Sequence, residues 1–332
     1  MQSMNEIYTR ITSDYRKLQS EHETAKATAL EILYADYPRI EEIDREISTL
    51  AITSAKKVLE ERISPEEAAE FVKIEADRLR AERASILLSN NATEYIPKYN
   101  CEKCNDTGFS SDGKKCGCFI KKLQAMMALP GERGDMSPIK DCTFENYTTE
   151  YYPKETDPDL GCSPYSIMNM IYSNCLKFAN EFSGNNSGNL LMCGKSGLGK
   201  SFMAGCVANR VADRGYFVIY KSSYKLFQFL EDYKFGRVDR DEYRAVYDAI
   251  YDCDLLVIDD FGTEFITSYT QTVFFDLLSS RLNLDKSTII STNLPLNKVS
   301  EIYQERVYSR LINEFNVMSF AGVDIRAQKN NR

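Results

Sequence analysis

The stretch "NLLMCGKSGLGKS", residues 189–201, limits what this chain can fold into more than any other. It carries G-x-x-x-x-G-K-S in full, as Gly194, Gly199, Lys200 and Ser201. An apolar run leads into it and a helix-forming run, "FMAGCVANRVADRG", leads out. That context predicts a strand, a glycine-rich turn and a helix whose N-terminus faces whatever the turn encloses. Glycines let backbone N–H groups turn inward, and the helix start carries partial positive charge, so the enclosed group is an oligophosphate. Lys200 would reach the β- and γ-phosphates, and Ser201 would ligate Mg²⁺. The candidate nucleotide-binding set is Gly194, Lys195, Ser196, Gly197, Leu198, Gly199, Lys200, Ser201 and Phe202.

Beyond this helix the chain has the texture of alternating strands and helices. "YFVIYKS" (216–222) reads as a second strand, and "CDLLVIDDFG" (253–262) as a third that ends in two carboxylates. After a phosphate loop, such an end places Asp259 to hold the Mg²⁺ water shell and Asp260 to polarise an attacking water. "STIISTNLP" (287–295) is a further buried strand, and Asn293 at its tip can orient that water. "ERVYSR" sets Arg306 and Arg310 one helical turn apart, available to a neighbouring protomer's nucleotide, and "GVDIR" offers Arg326.

Upstream lies different material. Residues 1–92 lack glycine and are rich in charged and aliphatic side chains. Ile40, Ile43, Ile47 and Leu50 recur at helical spacing. "SPEE" (64–67) carries a capping box with proline at the first helical position, and Ala68, Phe71, Val72, Ala76, Leu79 and Ile86 continue an apolar face. The pattern predicts an antiparallel helical hairpin or small bundle. It serves simple packing and partner docking equally well.

Between the two, "CEKCNDTGFSSDGKKCGC" spaces Cys101, Cys104, Cys116 and Cys118 as C-x2-C-x11-C-x-C. Two close pairs joined by a glycine-containing loop suit a four-thiolate zinc site, structural because no coordination position stays open. Disulfides and free thiols are the alternatives. The opening residues lack the apolar core of a signal peptide, and no run approaches the roughly 18 apolar residues of a membrane span. The expectation is therefore a cytoplasmic chain, where thiols stay reduced and a disulfide framework is disfavoured. The other six cysteines read as small buried hydrophobes, and His22, the only histidine, as a surface residue. A net charge of −8 excludes nucleic-acid binding by overall balance, so any such contact needs a local patch. Lysines 103, 114, 115, 121 and 122 make one small basic fringe around the cysteines.

With phosphate loop, D-D strand end, S-T-N strand end, E-R-x-x-x-R and G-x-D-x-R in order, residues 142–332 resemble an AAA+ ATPase. More narrowly, "LLVIDDFGTE" and "ERVYSRLIN" resemble the bacterial replicative helicase loaders of the DnaC/DnaI type and the related IstB transposition helpers. The fold class implied is α/β: an AAA+ P-loop parallel sheet flanked by helices, without a C-terminal helical lid. A helical N-terminal region and a small four-cysteine zinc module precede it. The implied domains are a helicase-binding region over 1–95, the zinc module over 96–128, a linker over 129–141 and the ATPase over 142–332.

The resemblance further implies Walker A roles for Lys200 and Ser201 and the Walker B metal role for Asp259. Asn293 would be sensor I, Arg310 the trans arginine finger, with Arg306 its competitor, and Arg326 sensor II. Asp260 stands where most relatives have glutamate, one methylene longer, which implies slow hydrolysis. Single-stranded DNA binding, the family's other activity, maps onto Lys234, Phe235, Arg237, Thr267, Ser268 and Tyr269. The implied partners are a DnaB-type hexameric helicase, single-stranded DNA and further copies of the chain in an ATP-dependent oligomer; the cofactors are ATP, Mg²⁺ and Zn²⁺. A transposase partner is the nearest rival. A small-molecule kinase would need an acceptor pocket and lid of its own, and a DnaA-type initiator would need a helix-turn-helix after the ATPase.

Overall fold

The computed structural model describes residues 4–60, 64–92, 97–129 and 139–330. Most of the 129–141 linker therefore lies outside the described residues. The chain forms two units, one of Met1–Asp14 with Lys103–Arg332 and one of Tyr15–Glu102.

The helical region comprises α1 (Met4–Asp36), α2 (Pro38–Glu60) and α3 (Pro65–Ser89). Within the smaller unit, Ile43 and Leu50 of α2 pack with Ala76 and Leu79 of α3, flanked by Ile47, Val72 and Ile86. This is the stripe read from the sequence, with one correction: Phe71 is 37% exposed rather than part of the buried face. The capping box at Ser64 forms, its hydroxyl accepting from the Glu67 N–H while the Glu67 carboxylate accepts from the Ser64 N–H. Across the α2–α3 pair, Arg39 reaches Glu82 and Arg83 reaches Asp44, each at 2.8 Å.

In the larger unit, α4 (Gly117–Met126) grows directly out of the second cysteine pair. Then come α5 (Pro164–Glu181), β1 (Leu190–Cys193), α6 (Lys200–Asp213), β2 (Val218–Ser222), α7 (Ser223–Lys234) and α8 (Arg240–Asp252). They are followed by β3 (Leu255–Phe261), α9 (Ser268–Asn283), β4 (Ser287–Thr292), α10 (Leu296–Glu314), β5 (Asn316–Ser319) and α11 (Ile325–Asn330). The five strands form one sheet in the order β2-β3-β4-β1-β5, with every neighbouring pair parallel. Helices cover the faces, so central strands must be apolar on both sides. Leu255 to Ile258 of β3 are accordingly at 0% exposure.

Parallel strands put all their carboxyl ends at one edge, where α/β sheets bind ligands. Here Cys193 pairs in register with Thr292, and Asp259 with Ser222. Sequence order had separated these strand ends by as much as 100 residues; the sheet brings them side by side.

Arg281 on α9 is fully buried, a costly place for a charge. It donates to the carbonyls of Ile250, Tyr251 and Ser287 and to the Thr288 hydroxyl. Two of those carbonyls belong to the last turn of α8, where the helix dipole is negative. No helix among the described residues is long and apolar enough to cross a membrane.

Candidate nucleotide site and cysteine cluster

The loop between β1 and α6 is shaped by its glycines. Gly197 and Gly199 hold φ of 78° and 90°, where a side chain is disfavoured. At Gly197 a Cβ would collide with the Asp324 carboxylate, so the loop and the "GVDIR" segment close on each other. The Ile325 N–H donates to the Gly197 carbonyl at 3.0 Å, and Asp324 accepts from the Arg326 N–H at 2.8 Å. This clasp turns Arg326 into the cleft above the loop.

That cleft, with a free volume of about 200 Å³, is lined by Ser196 to Phe202, by Asp260, Asn293 and Arg326, and by Asn146, Tyr147, Thr148, Tyr151 and Tyr152. Lys200 Nζ donates to the carbonyls of Gly194 and Lys195, both at 2.7 Å, and to Asn293 Oδ1 at 2.5 Å. An ammonium has three donors, so an arriving phosphate oxygen exchanges with one of these acceptors. Burial lowers the Lys200 pKa from its ordinary value, while Asp260 and Asp259 act against that.

Ser201 Oγ donates to Asp259 Oδ1 at 2.9 Å, the juxtaposition that a shared magnesium ion needs. Asp259 Oδ1 also accepts from Ser291 at 2.5 Å, and Oδ2 from the Tyr220 hydroxyl at 2.7 Å. Burial, and then the Asp259 charge, push the Tyr220 pKa upward. Asp260 differs in kind from its neighbour. The β3–β4 register shifts between Ile258 and Phe261, and Asp260 sits in the left-handed region at φ 54°. Such an irregularity re-aims one side chain, here into the cleft. Burial raises the Asp260 pKa from its ordinary value, with the Asp259 charge adding to it.

The structure thus gathers Lys200, Ser201, Asp260, Asn293 and Arg326 around one cleft, with Asp259 behind Ser201. Arg306 and Arg310 lie outside it. Both guanidinium groups stack on the Phe275 ring of α9, at 4.9 and 4.7 Å from its centroid. The DNA candidates converge only in part. Phe235 and Tyr269 have ring centroids 5.4 Å apart, and Arg237 lies over Phe235. Arg237, however, also pairs with Glu231 and Asp232. Lys234, Thr267 and Ser268 are exposed, and the Thr267 hydroxyl accepts from the Thr270 N–H as the cap of α9.

Sequence reasoning missed Tyr220, Ser291 and the wall Asn146–Tyr152, whose Tyr152 hydroxyl donates to the Leu198 carbonyl at 3.0 Å. The aromatic density of "NYTTEYY" was the available signal. Glu264 was also missed. It is buried and accepts from Ser223 and from the Gly262 N–H, fixing the turn after β3.

The thiols of Cys101, Cys104, Cys116 and Cys118 lie within 4.8 Å of one another, with Cys104 and Cys118 at 3.5 Å. A tetrahedral ion with zinc–sulfur bonds of about 2.3 Å separates its sulfurs by about 3.8 Å, so the set fits zinc. The turn after Cys104 uses Asn105 and Asp106 at φ 49° and 57°, and a bridge between Phe109 and Lys115 returns the chain to Cys116. Of the remaining cysteines, Cys175, Cys193, Cys206 and Cys253 are buried as expected. Cys142 is half-buried and Cys162 exposed, against that expectation.

Residues 178–331 match the family model described as IstB-like ATP binding protein. The C-terminal part of the chain is thus similar to IstB-like ATP binding proteins. The replicative helicase loader DnaC of Escherichia coli (strain K12) is 26% identical to the chain over 180 residues, 54% of this chain and 66% of the loader. The chain thus spans just under two thirds of that relative's length. A putative insertion sequence ATP-binding protein, y4pL of Sinorhizobium fredii, is 26% identical over 147 residues, 42% of this chain and 56% of that protein. Among solved structures, the DnaC helicase loader aligns with a TM-score of 0.46 at 18% identity, over 55% of this chain and 99% of that one.

Proposed function

We propose that the chain is an ATP-dependent loader that delivers a hexameric replicative helicase onto single-stranded DNA. The observation that carries this is the single cleft joining the phosphate loop to Asp260, Asn293 and Arg326, in a domain whose sequence is similar to DnaC loaders. Lys200 binds the phosphates. Ser201 and Asp259 hold the metal, which when bound neutralises phosphate charge. Asp260 accepts the proton of the attacking water that Asn293 orients. Arg326 stabilises the terminal phosphoryl from within the protomer.

Arg310 does the same from the adjacent protomer, with Arg306 as its alternate. Their position on α10, away from their own cleft, supports a role in trans. ATP bound between protomers then favours an oligomer that holds the helicase ring open, and hydrolysis loosens it. The helical region grips the helicase, and the four-cysteine element holds zinc.

The test is capture of the host replicative helicase by the full chain with Mg²⁺ and ATP, alongside ATP turnover with and without single-stranded DNA. Capture and slow, DNA-responsive turnover are expected; neither occurring overturns the reading. A second reading, an ATPase helper of a transposase, is favoured by the IstB family match and by y4pL. Binding to a transposase with no binding to helicase would establish it instead.

A further inference from the structure

Asp259 is braced from both sides of its own strand. Tyr220 reaches Oδ2 from β2, and Ser291 reaches Oδ1 from β4, the two strands that flank β3. Ser201, on α6, is the third donor. A carboxylate only accepts, so Ser291 donates its proton to Asp259, and its oxygen in turn accepts the Asp260 N–H at 2.9 Å. Ser291 is fully buried, and no other acceptor competes for that proton among its hydrogen bonds.

We propose that Tyr220 and Ser291 are positioning residues for magnesium: they hold the Asp259 carboxylate so that it faces the ion's water shell when Ser201 turns away to ligate the metal. The inference rests on the nucleotide-binding reading above. A carboxylate offers about four lone-pair sites. Two stay committed to Tyr220 and Ser291, and the site vacated by Ser201 joins the remaining one. The carboxylate plane is then set by neutral donors on two rigid strands, so the metal site is oriented before the ion arrives. Donors behind a metal-holding group commonly change metal affinity by about 10- to 100-fold when removed.

A merely structural role predicts something else. Tyr220→Phe keeps the ring and its packing, and removes the 2.7 Å bond to Asp259 together with a longer contact, 3.4 Å, to the Ser201 carbonyl. The experiment is Mg²⁺ titration of the binding of a fluorescent ATP analogue to the full chain, with binding in EDTA and thermal melting measured in parallel. We expect the Mg²⁺ midpoint to rise by about 10-fold in Tyr220→Phe and in Ser291→Ala, and to return in Ser291→Thr. Metal-free binding and the melting temperature of Tyr220→Phe should not move. If Ser291→Ala does not fold, Tyr220→Phe decides alone. An unchanged midpoint in a folded variant overturns the inference and leaves the nucleotide reading standing. So does a loss equal in EDTA and in Mg²⁺, since that marks a structural defect. Wild-type protein without Mg²⁺-dependent nucleotide binding overturns the nucleotide reading and this inference together.

Discussion

The cysteine cluster and the nucleotide cleft are both sets of converging polar groups, yet they are assembled by opposite routes. The cluster draws its four thiols from residues 101–118, through one turn, one hairpin and the first turn of α4. The cleft draws its groups from residues 146–326, and only the strand order brings them together. Spacing alone can therefore specify the first, whereas the second exists only once the sheet is complete. The two should still fail separately, although α4 packs Ile120 into the core that carries α6 and its Gln124 side chain donates to the Val218 carbonyl: loss of metal disorders residues 101–118 first, while the strands and helices around the cleft keep the rest of that core.

The largest expected effect tests that independence. Structural zinc in small modules contributes about 10–16 kcal/mol of apparent folding free energy. Purified protein should contain one zinc per chain by elemental analysis, and Cys104→Ser or strong chelation should abolish the order of the element. Hydrogen exchange would report that loss over 101–118, while ATP-analogue binding remains. Loss of nucleotide binding in Cys104→Ser, with Mg²⁺ kept in excess, would break the comparison, because the cleft would then depend on the cluster. Next in size is Lys200→Ala. Removing one preorganised cationic donor to a phosphoryl group costs about 3–4 kcal/mol, a drop of several hundredfold in turnover that kinetics at saturating Mg·ATP would detect.

These two sites also differ in how much of them the sequence discloses. The loop around Lys200 and the ligands of the cluster are legible because glycine positions and cysteine spacing encode local geometry. The apolar runs of β1 to β4 are legible because a parallel sheet buried on both faces demands them. Tyr220 and Ser291 are not, since nothing local in "VIYKS" or "IISTN" says which carboxylate their hydroxyls will meet across the sheet. Phe71 misleads for a related reason: a helical period gives a face, but not how wide a stripe the neighbour covers. The departure of Asp260 from β geometry is likewise invisible, because a register shift belongs to the pair of strands and not to either one.

Asp260 yields the next prediction. Its raised pKa comes first from burial and second from the Asp259 charge. As a base it must be ionised, so kcat/KM should fall as pH drops through its pKa, with the acid limb displaced upward from that of an ordinary Asp. Asp260→Asn should lower turnover about 100-fold, the modest end for a general base, and erase that acid limb. Stability should move the other way. A carboxyl with a folded pKa above its unfolded value stabilises the fold only at low pH, and loses that contribution as pH rises through the folded pKa. At neutral pH the substitution removes a half-buried ionised group, so Asp260→Asn should melt higher than the wild type. A variant that is both slower and less stable would show that the carboxylate serves the fold rather than the chemistry.

The smallest effect belongs to the surface around Phe235, which combines the two routes. Phe235 and Arg237 are neighbours in sequence, whereas Tyr269 joins them from the start of α9. Phe235 is 58% exposed, so its ring is available as a stacking platform. Arg237 already faces Glu231 and Asp232, at 3.3 and 3.2 Å, so its charge is partly spent within the protein. Stacking is worth about 1–3 kcal/mol per base, and an exposed ring belongs at the lower end. Phe235→Ala should therefore weaken binding of an oligothymidine by roughly 5- to 10-fold in fluorescence anisotropy. Arg237→Ala should weaken it less, because the acidic pair cancels much of the attraction to phosphate. Removing that pair as Glu231→Gln with Asp232→Asn should instead tighten binding and steepen its salt dependence. If Arg237→Ala proves the more damaging change, phosphate contact rather than stacking drives the surface, and the acidic neighbours must turn away when DNA arrives.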